Sequence, residues 1–148
     1  MAADMAEYIG EHAKRLMLLV NEVDSDAPDE ATVEVLIDAF GRWAAIEQQL
    51  LFPVLEAYAA REDDFTGEAE RRFDVLRSVH DDIRLEEGAD APYSELASKY
   101  VAGVKYHLIV DVEDILPLAL EVPEFESAEV LLRMRRLEAK LLDERGAR

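Results

Sequence analysis

Apolar residues recur at helical spacing along almost the whole chain, with proline, glycine and short acidic clusters as punctuation. The pattern predicts five helices and no strand. The first covers about residues 4–23 and places Met5, Ile9, Leu16 and Leu19 on one face; it stops at "DSDAPDE", where Pro28 suits the opening of the next helix. The second covers about residues 29–60 along a stripe of Leu36, Phe40, Trp43, Leu50 and Val54, and Pro53 inside it is expected to remove one backbone hydrogen bond and kink the rod. Thr66 is the expected cap of the third helix, about residues 67–87, in which Phe73, Leu76 and Ile83 share a face before Gly88 ends it. The fourth follows from Asp90 and Pro92 to Val122, with Tyr100, Gly103, Val104, Val110, Ile115 and Leu118 on its stripe and Pro117 near its far end.

Short connections between long amphipathic helices favour antiparallel neighbours. The expectation is therefore one all-α domain over residues 1–148: an up-down antiparallel four-helix bundle over about residues 4–122 and an additional C-terminal helix over about 127–144. That last segment carries Arg133, Arg135, Arg136, Lys140, Arg145 and Arg148. It reads either as a membrane or partner helix, or as a basic face answering an acidic bundle while Val130, Met134, Leu137 and Leu141 cover apolar surface.

Composition narrows the chemistry. With 148 residues and 50% hydrophobic content the chain can bury a real core. Its 34 acidic and 16 basic side chains give a net charge of −18, which phosphate backbones and anionic membrane surfaces repel, so neither nucleic acid nor membrane is an expected partner. Without cysteine there is no thiolate zinc site, iron–sulfur cluster or disulfide, and any metal has to be held by imidazole and carboxylate. No leader pattern opens "MAADMAEYIGEHAKR" and no apolar run reaches the ~18 residues of a spanning helix, so a cytoplasmic setting is expected.

The three histidines, His12, His80 and His107, each fall within an apolar stripe on a different predicted helix. One such histidine is ordinarily a core residue with a hydrogen-bond partner; three on separate bundle helices point toward a shared site. Carboxylates sharpen this. Glu47 interrupts the Trp43–Leu50–Val54 stripe, and Asp111 and Asp114 follow His107 at four and seven residues, on its side of the helix. A carboxylate facing a bundle core needs a cation or hydrogen bonds to offset several kcal/mol of desolvation, and a metal ion would use the imidazoles as well. Glu-x-x-His, His-Glu-x-x-His, a Gly-rich phosphate loop and a nucleophile elbow are all absent.

"WAAIEQQLLFP", Trp43 to Pro53, and "HLIVDVEDILP", His107 to Pro117, share an acid at the fifth position and a proline at the eleventh. With His12 and His80 in chain order, this layout resembles the hemerythrin-like, or HHE cation-binding, family of four-helix bundles over about residues 10–120. The resemblance implies a non-haem iron protein, usually di-iron with bridging carboxylates, and maps its ligands onto His12, Glu47, His80, His107 and Asp111. Trp43 stands where the second-helix histidine is expected, and Ala44, Leu76 and Val112 also depart from the oxygen carriers of that family, which argues against a reversible carrier. On this reading His80, His107, Glu47 and Asp111 hold one iron, and His12 with the shared carboxylates holds a second, weaker one. Zinc or manganese suits the same donors.

Trp43 either fills the space of a lost ligand or walls a pocket beside the metal. Tyr8 and Tyr106 are either donors to the ligands or ordinary packing and surface residues, and Asp114 or Glu113 replaces a missing ligand if the helix is distorted near Pro117. Two functions remain open. One is a metal protein that reacts with or senses oxygen, peroxide or nitric oxide, as an oxidoreductase or otherwise; the other is a metal-free bundle that serves interaction or assembly. Oligomeric state is not legible.

Overall fold

The computed structural model describes residues 4–23, 26–60, 63–85 and 92–146, with the side chains of the last two of these left aside. The described residues form helices and no strand: α1 (Met5–Glu22), α2 (Glu30–Ile46), α3 (Phe52–Leu55), α4 (Phe65–Arg84), α5 (Tyr93–Val110), α6 (Leu116–Ala119) and α7 (Glu124–Gly146). Two π-helical turns, Glu47–Leu51 and Asp111–Ile115, join α2 to α3 and α5 to α6, so five continuous rods result. None of the described helices is long and apolar enough to cross a membrane.

Carboxylates set the starts of three rods. Asp4, Asp29 and Asp64 accept hydrogen bonds from the backbone N–H groups of Glu7, Thr32 and Gly67, satisfying donors that the first turn of a helix leaves free. The cap of α4 is thus Asp64 and not Thr66, which falls inside the helix with a buried hydroxyl that has no partner. Gly88 and Asp90, expected to end one helix and begin the next, lie outside the described residues. α7 begins at Glu124, earlier than its hydrophobic pattern suggests.

Around α1 pack α2, α5, α6 and α7, while α4 lies along α5 and α7 also crosses α2. Where α4 meets α5, a Cβ on Gly103 would come within 2.6 Å of Leu76 Cδ2, so the Leu76 side chain would have to shift. One contiguous apolar cluster draws on every rod, from Met5 and Ile9 through Leu36, Phe40, Phe73 and Val104 to Val130, Leu131 and Met134. The apolar face of α7 therefore covers the core, as Leu137 and Leu141 also do in part. Among the described residues its Arg133, Arg135 and Arg136 are exposed and make no ion pair within 4.0 Å. Acids and a hydroxyl tie this helix down instead. Glu138 accepts from Tyr8, Glu126 accepts from Tyr58, and Ser127 Oγ accepts from the Met5 N–H at 3.1 Å.

The π turns decide what faces inward. In an α-helix a four-residue step overshoots one turn by about 40°, so a column spaced at four drifts off the core face. A π turn holds more residues and cancels the drift. Hence Trp43, Glu47, Leu51 and Leu55 are all buried, and so are His107, Asp111, Ile115 and Ala119. Leu50, Val54 and Leu118, which a uniform helical period sends to the core, are only partly buried. Pro53 and Pro117 each stand at the first turn of the α segment after the π turn, where a missing N–H is tolerated.

Candidate metal centre

The two four-spaced columns bring Glu47, His107 and Asp111 together, each with no solvent exposure. One ligand-type atom from each lies within 4.8 Å of the others, which among the described residues is the one such group. His107 Nε2 is 2.7 Å from Glu47 Oε1 and 3.5 Å from Asp111 Oδ2. Trp43 Nε1–H donates to Asp111 Oδ2 at 3.0 Å, and Arg72 Nε–H donates to His107 Nδ1 at 3.1 Å. Arginine carries no acceptor, so Nδ1 presents its lone pair and the imidazole proton sits on Nε2, toward Glu47.

Burial governs the charges. It pushes the Glu47 carboxyl up to about 8, against smaller opposing effects of Asp111 and the Arg72 guanidinium. Burial and the nearby Glu47 raise Asp111 well above the usual carboxylate range, and burial lowers His107. Two carboxyl groups buried this close cannot both carry a full negative charge without compensation. Glu47 Oε2 and Asp111 Oδ1 receive no donor from elsewhere in the described chain. Either protonation or a cation offsets the repulsion.

His12 belongs to a separate cluster. Its Nε2 lies 2.9 Å from Glu138 Oε2 on α7, its Nδ1 lies 3.0 Å from the Tyr8 carbonyl oxygen, and the Tyr8 hydroxyl donates to the same Glu138 carboxylate. Trp43 links the two clusters: its indole stacks on the His12 ring at 4.8 Å while its N–H holds Asp111. It is thus a core aromatic with a polar task at the carboxylate. Tyr8 is buried against His12 and Trp43, whereas Tyr106 is exposed with the Arg72 guanidinium over its ring.

His80 does not join the group. Arg72 and Phe73 are the α4 residues that meet His107, the latter with ring centroids 4.8 Å apart, and His80 is two helical turns beyond Phe73, about 10 Å along the axis. Its ring instead sits 6.4 Å from that of Tyr100, in a groove of about 420 Å³ lined also by Asp38, Gln48 and Arg77. Asp114 is exposed, because the π turn swings it away from the His107 column, and with Glu113 it lines a surface cleft. Glu138 and Arg72 are the polar partners that the sequence pattern does not single out. Both act across the chain, 126 residues from His12 and 35 from His107, and only the adjacent acidic and basic composition of their helices hints at them.

The donor set fits one metal ion. One imidazole and two carboxylates, two of whose oxygens lack any donor, supply hard and borderline ligands suited to a divalent first-row cation. For the second ion expected from the sequence, no further group of this kind lies among the described residues: Trp43 has no ligand atom and His12 turns to Glu138. No family model, no curated protein and no solved structure matches this chain.

Proposed function

We propose that the chain is a hemerythrin-like protein, an up-down antiparallel four-helix bundle that holds a single metal ion at Glu47, His107 and Asp111. The observation that carries this reading is the pair of buried carboxylate oxygens, Glu47 Oε2 and Asp111 Oδ1, that no donor satisfies beside an imidazole within reach. Iron comes from the family resemblance, and manganese or zinc suits the same donors. When bound, a redox-active ion such as iron supplies electron exchange with oxygen, peroxide or nitric oxide.

The chain's own residues prepare such a site in stated ways. Trp43 fixes the Asp111 carboxylate through Oδ2 and leaves Oδ1 to turn inward. Phe40 and Phe73 pack their rings on His107, at 5.3 Å and 4.8 Å, which orients the imidazole and keeps bulk water from it. The competing reading, a metal-free bundle for interaction or assembly, draws on burial, which holds the Glu47 and Asp111 carboxyls toward their neutral, protonated forms without an ion.

Elemental analysis of protein produced with iron, manganese or zinc separates the two. The metal reading expects about one ion per chain from one donor triad, lost in His107→Ala and Asp111→Asn and kept in His12→Ala and His80→Ala. Substoichiometric metal that none of these substitutions alters would favour the metal-free reading.

A further inference from the structure

We infer that Arg72 is a latch on this position: its guanidinium and a metal ion at His107 exclude each other, and the ion is admitted when Arg72 turns out into the cleft it lines. The inference rests on the metal-binding reading above and concerns its control.

A neutral imidazole has one N–H and one lone pair. With Arg72 donating to Nδ1 at 3.1 Å, the lone pair is spent there, and the proton on Nε2 points at Glu47 Oε1, 2.7 Å away. The nitrogen that faces both carboxylates therefore has nothing to offer a cation. To ligate through Nε2, His107 has to carry its proton on Nδ1, against a side chain that only donates. Metal-bound imidazoles ordinarily turn that second N–H toward a carboxylate, a carbonyl or water, so Arg72 has the opposite polarity to the usual supporting partner. Charge acts in the same direction, because the guanidinium already favours the charged form of Glu47 and a metal would duplicate it.

An alternative seat for Arg72 exists. Arg72 is half-buried and lines a cleft of about 330 Å³ together with the exposed carboxylates of Asp63, Glu68, Glu113 and Asp114. Glu68 stands one turn before Arg72 on α4, the spacing at which a glutamate and a following cation meet on a helix surface. Among the described residues Arg72 makes no ion pair with any of these acids while its Nε reaches His107. The same acids raise the local concentration of divalent cations at the cleft that opens beside the imidazole.

Calorimetric titration of the full-length, chelator-stripped protein with Mn(II) tests the latch in the wild type, Arg72→Lys and Arg72→Gln. Glutamine removes the charge and offers a carbonyl oxygen to an Nδ1–H, so Arg72→Gln should bind about 10–100-fold more tightly, the span over which such supporting partners act. Arg72→Lys keeps both charge and donors and should stay near the wild type. If the wild type binds and Arg72→Gln binds no more tightly, the latch is wrong and the metal position stands; if neither binds, the metal reading fails and the latch with it. Nitrogen-15 NMR of the three imidazoles in the metal-free wild type gives a check that needs no variant. A His107 proton on Nε2 is expected, and a proton on Nδ1 would overturn the latch.

Discussion

Glu47→Gln should stabilise the metal-free protein at alkaline pH while removing its metal site. In the folded chain burial pushes the Glu47 carboxyl from 4.5 up to about 8, whereas the unfolded chain releases that proton near the ordinary glutamate value. The folded state therefore binds more protons between these limits. Its stability is fully present below the unfolded value and is lost as pH rises through the folded one, at about 1.4 kcal/mol per pH unit, or about 5 kcal/mol across the window. Glutamine has no proton to lose. Its carbonyl can accept from His107 Nε2–H, and its amide can donate to Asp111 Oδ1, which otherwise has no donor. Urea denaturation in chelator should find the two proteins within about 1 kcal/mol of each other at pH 5 and the variant several kcal/mol more stable at pH 8.5. Added Mn(II) should reverse the order by stabilising only the wild type. Parallel pH profiles for the two proteins would refute the burial argument.

Other perturbations separate the two polar clusters. Trp43→Phe keeps an aromatic ring beside His12 but leaves Asp111 Oδ2 without its indole donor, which should cost about 1–3 kcal/mol in urea denaturation at pH 7. Glu138→Ala removes the acceptor of both Tyr8 and His12; about 1–2 kcal/mol of stability and the hydrogen-exchange protection of α7 should fall, with metal stoichiometry unchanged. Gly103→Ala forces a Cβ onto Leu76 Cδ2 and should destabilise the α4–α5 contact by about 1–3 kcal/mol, measurable as a lowered thermal midpoint.

The hydrophobic period was enough to place all five rods, since Met5, Ile9, Leu36, Phe40, Phe73, Val104, Val130 and Met134 carry it and all are buried. It failed where the helix itself changes pitch. A uniform period sends Leu50, Val54, Asp114 and Leu118 inward; the π turns at Glu47–Leu51 and Asp111–Ile115 bury Leu51, Leu55 and Ala119 instead, keep Ile115 inside as expected, and turn Asp114 to solvent. Glu47 and Asp111 were legible as candidates because a carboxylate on an apolar stripe is conspicuous, and their equal distance from Pro53 and Pro117 marks the paired π turns. Depth along the bundle was not legible. Stripe membership puts His12, His80 and His107 on inner faces, but it does not say that His80 stands two turns beyond Phe73, or that a glutamate on the last helix meets His12.

Anomalous diffraction from crystals of the Mn(II)-loaded wild type tests the central claim most directly. One peak is expected, between the carboxylates of Glu47 and Asp111 and the Nε2 of His107. A peak between His12 and Glu138, a ligand contributed by His80, or two ions in the core would contradict it.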